Sequence, residues 1–137
     1  MALRLGTDLC NTKRIAAIYK KFGAKFLDRI LTVREKEYVL SSKKLFLYRL
    51  SGRFAAKEAV SKALGTGIGE KLSFLDIEIL RVDSEDNIVE AGSDKSAAPK
   101  IFLGAAAQKI SDELGLTEWA LSVSHEDDFV IAQVVAI

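Results

Sequence analysis

The sequence predicts an α+β domain, one mostly antiparallel sheet packed on helices. Three patterns carry that expectation. Apolar residues alternate with polar ones at Leu3–Leu9, Leu75–Ile79 and Trp119–Val123, the period of half-buried strands. Helical periodicity marks Thr12–Phe22 and Arg53–Leu64. The C-terminal run Phe129–Ile137 is almost wholly apolar and follows a polar turn, Glu126-Asp127-Asp128, as the central strand of a hairpin should.

In chain order, Leu3, Leu5, Thr7 and Leu9 form one face of the first strand, so Asp8 points away from the leucines near its end. Asn11 is placed to cap a helix from Thr12 to Phe22, with Ile15, Ile18, Tyr19 and Phe22 on its buried stripe and Gly23 as its stop. Lys13, Arg14, Lys20 and Lys21 fall largely off that stripe and make a basic surface. A short apolar segment through Phe26, Leu27, Ile30 and Leu31 follows. Thr32 and Glu35 then match a capping box, opening a helix that runs to about Ser41.

Lys43–Leu50 carries Lys44 and Arg49 among leucines. From Arg53 to Leu64 the helix is clear, and Phe54, Ala55, Ala56, Ala59, Val60 and Ala63 give it a face of mostly small residues suited to close packing. Glu58, Ser61 and Lys62 share another face. Gly65, Gly67 and Gly69 end it in a loop, and Leu75, Ile77 and Ile79 begin the second strand. Residues 83–98 are acidic, small and irregular, which predicts a surface loop or hairpin turn. A short strand, Lys100–Leu103, follows Pro99, then a helix from Gly104 to Leu114 stopped by Gly115, then the strand that arrives at His125.

With 137 residues, 49% of them hydrophobic and one proline, the chain suits a single folded domain over 1–137. The start reaches Asp8 too soon for the apolar core of a signal peptide, and no apolar run approaches the roughly 20 residues that span a bilayer. Cys10, alone, excludes an internal disulfide framework and a cysteine-based zinc site. A soluble, cytoplasmic protein with no membrane partner is expected. The net charge of +1 conceals a split: residues 1–70 hold 15 Lys/Arg against 6 Asp/Glu, residues 71–137 hold 5 against 13. A basic half suits an anionic partner, or else the halves neutralise each other across the fold or between subunits. It lacks aromatic-basic interleaving and any recognition motif, so no nucleic acid is expected.

Few residues can carry chemistry, and each has two readings. Asp8 and Glu58 suit Mg²⁺, which takes one or two carboxylates and completes its shell with water and phosphate oxygens. Alternatively, Glu58 pairs with Lys62 four residues on, and Asp8 is a turn residue. His125, the single histidine, is a phosphate ligand or proton shuttle, or a hydrogen-bonded turn residue. Cys10 reads as a buried, inert thiol. The run Gly65-Thr66-Gly67-Ile68-Gly69 follows a helix and leads into a strand, the reverse of a dinucleotide-binding turn, and no P-loop is present.

Three segments together resemble the holo-acyl-carrier-protein synthases, the small bacterial 4′-phosphopantetheinyl transferases. They are Leu5-Gly6-Thr7-Asp8-Leu9 with Arg14-Ile15; Gly52-Arg53-Phe54-Ala55-Ala56-Lys57-Glu58-Ala59, continuing through Ser61-Lys62 to Gly69; and Leu121-Ser122-Val123-Ser124-His125-Glu126. The resemblance implies transfer of phosphopantetheine from coenzyme A to a serine of an apo acyl carrier protein, leaving adenosine 3′,5′-bisphosphate. It implies Mg²⁺ on Asp8 and Glu58, with Lys62 neutralising a phosphate oxygen. Arg53, Ser61, Gly65 and His125 would line the coenzyme A site, Lys44 would meet its 3′-phosphate, and Pro99 would lie near the nucleotide. The general base would be Glu58, Glu35 or a metal-bound water, with Glu35 preferred as a cap. An acidic carrier would dock on Arg14, Lys21, Phe22 and Lys25.

Relatives of about twice this length contain two such units with the site between them. The resemblance therefore implies a homotrimer with its active site at the subunit interface. Two departures stand out. Asn11 occupies a position where the family usually has Glu, and residues 83–98 form a longer arm in which Ala97-Ala98 replace the common Gly-Lys before proline.

Overall fold

The structure, a computed structural model, describes residues 2–93 and 95–137. Strand β1 (Arg4–Asn11) runs directly into α1 (Thr12–Phe22), followed by α2 (Ala24–Ile30), α3 (Val33–Leu40) and the long α4 (Phe46–Leu64). A 3₁₀ turn (Phe74–Asp76) leads into β2 (Ile77–Val82); then come β3 (Ala98–Leu103), α5 (Ala105–Glu113), β4 (Trp119–Glu126) and β5 (Phe129–Ala136). The α+β class is as expected and all strand pairing is antiparallel, but the strands divide between two sheets. β5 is central in β1–β5–β4, and β2 pairs with β3 alone. A groove of about 520 Å³ lined by Pro99–Ile101 and Trp119–Leu121 lies between the two sheets. Pro99, with no N–H to give, suits a strand at a sheet edge.

Local signals hold where the chemistry is local. Asn11 accepts from the Lys13 N–H and caps α1, Gly23 ends it at φ 58°, and the Thr32–Glu35 capping box opens α3. The 83–98 arm is irregular as expected, apart from Ala98 in β3; Asp94 lies outside the described residues. Three details differ. The apolar segment after Gly23 is a helix, α2. α4 begins at Phe46 rather than Arg53, because tertiary packing carries the helix through Ser51 and Gly52, both buried. Leu75 belongs to the 3₁₀ turn that precedes β2.

α4 packs across the inner face of β1 and β5, where Ala55, Ala56, Ala59 and Ala63 are buried. The approach is closest at Gly6: a Cβ there would lie 1.8 Å from the Ala59 carbonyl oxygen, so only glycine lets the strand touch the helix backbone. Gly6, Asp8 and Cys10 lie on this inner face, register with Val134, Ala132 and Val130 of β5, and bring Asp8 against α4. The leucines face the other way. Leu3, Leu5 and Leu9 are 71, 65 and 65% exposed, beside the exposed Phe129 and Val135 of β5.

One ion pair is fully buried among the described residues. Lys57, fully buried on α4, donates to the Glu35 carboxylate at 2.6 Å and to the Ile30 and Phe74 carbonyls at 2.6 and 3.1 Å. Glu35 also accepts the Thr32 and Ile79 N–H groups. One pair thus ties together α2, α3, α4, the 3₁₀ turn and β2. Burial holds the Lys57 amine below its ordinary value, with Glu35 opposing.

Candidate active site

Asp8 and Glu58 come together, one from β1 and one from α4. Burial is the larger cause and the Asp8 charge the next in pushing the Glu58 carboxyl above its ordinary value, with Lys62 and Arg14 opposing. Lys62 reaches across to Asp8, Nζ to Oδ1 3.0 Å, and donates to the Thr7 carbonyl at 3.0 Å. Its partner is therefore Asp8 rather than Glu58 along the helix, and Asp8 sits in a strand, not a turn.

Asp8 and Glu58 form a pair of neighbouring carboxylate oxygen donors, with Lys62 on Asp8 and the Arg14 charge opposing their repulsion. Among the described residues no group of three or more metal-ligating side chains occurs. That donor set fits Mg²⁺, which needs one or two protein carboxylates and a phosphate-bearing substrate for the rest. Glu35 is excluded from proton transfer by its burial and by Lys57, Thr32 and Ile79 on its oxygens. Cys10 lies beside the carboxylates, buried, its thiol pushed up to about 11 by burial first and Asp8 second; it is inert at neutral pH.

The other predicted residues separate into distinct places. Ser61 is buried, and its hydroxyl donates to the Glu58 carbonyl at 2.7 Å. Gly65 caps α4 at φ 81°, a left-handed conformation that favours glycine. Arg53 lies about 140° around the helix from Glu58. Nine-tenths buried, it stacks over Tyr38, and its Nε has no partner among the described residues. Tyr38 also carries the Arg49 guanidinium, and with Arg34 and Arg81 it lines a groove of about 600 Å³ beside Ile88–Ala91. Lys44 is exposed in the turn before α4.

His125 is exposed near the β4–β5 turn, its ring 4.6 Å from that of Tyr48. Tyr48 precedes Glu58 by ten residues, about 15 Å along the helix. On α1, Arg14, Lys21 and Phe22 are exposed, as is Lys25 on α2. Phe22, 52% exposed, does not belong to the buried stripe; Gly23 ends the helix there.

A family model described as the 4′-phosphopantetheinyl transferase superfamily matches residues 4–134. The chain belongs to that superfamily. Its relatives within it are holo-[acyl-carrier-protein] synthases. That of Carboxydothermus hydrogenoformans is 42% identical across 93% of this chain and 91% of its own length. The crystal structure of the Neisseria meningitidis holo-[acyl-carrier-protein] synthase superposes with a TM-score of 0.79 at 40% identity, covering 98% of this chain and 97% of that one. The Helicobacter pylori enzyme, solved in complex with coenzyme A, gives 0.75 at 36%, covering 97% and 99%.

As a phosphopantetheinyl transferase, the chain carries features that sequence patterns did not reveal. Tyr38 and Tyr48 have no periodic or motif signal; each acquires its role from a partner distant in sequence. Lys57 falls within a family segment, but its buried pairing with Glu35, 22 residues away, has no sequence signal.

Proposed function

We propose that the chain transfers 4′-phosphopantetheine from coenzyme A to a serine hydroxyl of an apo acyl carrier protein, with Mg²⁺, releasing adenosine 3′,5′-bisphosphate. The observation that carries this reading is the convergence of Asp8, Glu58 and Lys62, two carboxylates and one cation at 3.0 Å from the nearer carboxylate. The coenzyme A found in the Helicobacter pylori relative supports the substrate.

Asp8 and Glu58 would hold Mg²⁺, which supplies charge neutralisation at the pyrophosphate. Lys62, half-exposed, turns its ammonium to a phosphoryl oxygen. The serine oxygen attacks the phosphorus that bears the pantetheine, a P–O bond forms, and the bond to the bridging oxygen breaks. The nucleotide bisphosphate leaves with that electron pair. Glu58, or a water held at the site, would receive the serine proton. Little covalent chemistry is asked of the protein, so positioning and electrostatics supply most of the acceleration. The arginine-lined groove at Arg53, whose Nε has no partner among the described residues, suits the phosphate-bearing nucleotide end, with Ser61, Gly65, Lys44, Pro99 and His125 completing the coenzyme A site.

The chain acts as one catalytic domain and assembles as a homotrimer in the cytoplasm. The exposed leucine face of β1, continuous with Phe129 and Val135 of β5, supports burial against further copies. His125 packs on Tyr48 at the start of α4, ten residues before Glu58, and in the trimer His125 of one protomer would serve the Asp8–Glu58–Lys62 cluster of its neighbour. Helix α1 contains no acidic residue, and with Arg14, Lys21, Phe22 and Lys25 exposed it suits an acidic carrier.

The test incubates protein, apo acyl carrier protein, coenzyme A and Mg²⁺ and weighs the carrier by mass spectrometry. A phosphopantetheine mass gain is expected; its absence across metal and salt conditions sinks the reading. Asp8→Ala and Glu58→Ala should each lower kcat at least about 100-fold while the fold is kept. Either variant retaining near-normal turnover refutes the metal assignment.

A further inference from the structure

We propose that Tyr48 is a positioning residue for His125, fixing the plane in which the imidazole meets the anionic oxygens of the substrate. This rests on the proposed role of His125 in binding coenzyme A.

His125 lies near the end of β4, exposed, and among the described residues no hydrogen bond orients its ring. An exposed side chain of this kind samples several rotamers and loses that freedom on binding. Tyr48, in the first turn of α4, removes the freedom beforehand. Its ring stacks on the imidazole with centroids 4.6 Å apart and planes tilted by 35°. The contact lies against a ring face, whereas the ring nitrogens lie on the rim, and the residue as a whole stays exposed.

The same side chain holds the turn. Tyr48 Oη donates to the Asp127 carbonyl at 2.7 Å, and Asp127 has φ 51°, left-handed backbone that Asp tolerates but does not favour. One residue therefore fixes both the imidazole and the hairpin that carries it, and couples them to the helix that also carries Glu58 and Lys62. The two contacts are chemically separable. Phenylalanine keeps the stack and loses the hydroxyl bond, whereas leucine loses both.

The chain contains one histidine, so in tag-free protein its ring protons are unambiguous by NMR. In Tyr48→Leu those protons should move downfield as the tyrosine ring current is lost, and in Tyr48→Phe they should stay near their wild-type positions. Tyr48→Leu should raise KM for coenzyme A about 3- to 10-fold with a smaller change in kcat, and more than Tyr48→Phe does. In a His125→Ala background, Tyr48→Leu should add nothing further to KM. Tyr48 is partly exposed, and thermal melts establish that each variant is folded.

Unmoved ring protons in Tyr48→Leu mean there is no stack in solution and overturn the proposal. Moved protons with unchanged KM, or a further rise in KM in the His125→Ala background, overturn the positioning role. If His125→Ala itself leaves KM and kcat unchanged while the ring-proton shift persists, the failure lies with the substrate role of His125, and the proposal falls with it.

Discussion

At the scale of single residues, Gly6 sets the distance between the two halves of the site. A methyl group there would collide with the backbone of Ala59, and backbone cannot rotate away as a side chain does. Gly6→Ala is expected to destabilise the protein by about 3 kcal/mol in urea unfolding, at the upper end of overpacking costs. A loss below about 1 kcal/mol would show that α4 shifts freely on the sheet. Asp83 gives a pH-dependent counterpart in the arm after β2. Its carboxyl is held below its ordinary value of 3.8, chiefly by the Asn87 backbone N–H and further by that of Glu85. A depressed acid stabilises the fold above its unfolded value and loses that contribution as pH falls through the folded one. Asp83→Ala should therefore lower the melting temperature at pH 7, and the gap should close as pH falls below 3.8. A gap that persists in acid would assign the effect to something other than the carboxylate.

At the scale of elements, the buried Lys57–Glu35 pair anchors α4. Both groups are fully hydrogen-bonded, so removing one strands the other in the core. Lys57→Met should cost about 3–5 kcal/mol, and adding Glu35→Leu should recover part of that rather than double it. Equal, additive losses in a double-mutant cycle would mean the pair is not coupled. The element itself shows where sequence reading stops. The Thr32–Glu35 box was legible because both partners lie within one turn, whereas the Lys57 contact spans 22 residues and has no local signature. The N-terminal half of α4 was equally hidden, since Ser51 and Gly52 weaken helix propensity and only burial compensates.

At the scale of the whole molecule, the exposed outer face of the three-stranded sheet is the surface proposed to carry assembly. Leu5→Lys with Leu9→Lys places charge on a face already exposed in the single chain, so the protomer should stay folded by circular dichroism. Sedimentation should then show a monomer, and transfer activity should disappear if, as proposed, His125 meets the carboxylates of a neighbour. A fully active monomer would disprove the shared site, and an unchanged assembly would place the interface elsewhere.

Sequence by itself determined what depends on neighbours within a few residues: the Asn11 cap, the capping box, the glycine stop at 65 and the β4–β5 hairpin. It also presented the motifs that carry the family, with Asp8, Glu58 and Lys62 among them. Alternation along β1 showed that Asp8 and the leucines lie on opposite faces, since side chains alternate with a period of two. It could not say which face is the core. Only the tertiary structure decided that, turning Gly6, Asp8 and Cys10 toward α4 and leaving the leucines outside. The same packing chose Asp8 over Glu58 as the partner of Lys62 and set Tyr48 against His125. Those choices depend on elements 40 to 80 residues apart being pressed together, and no local pattern encodes such a contact.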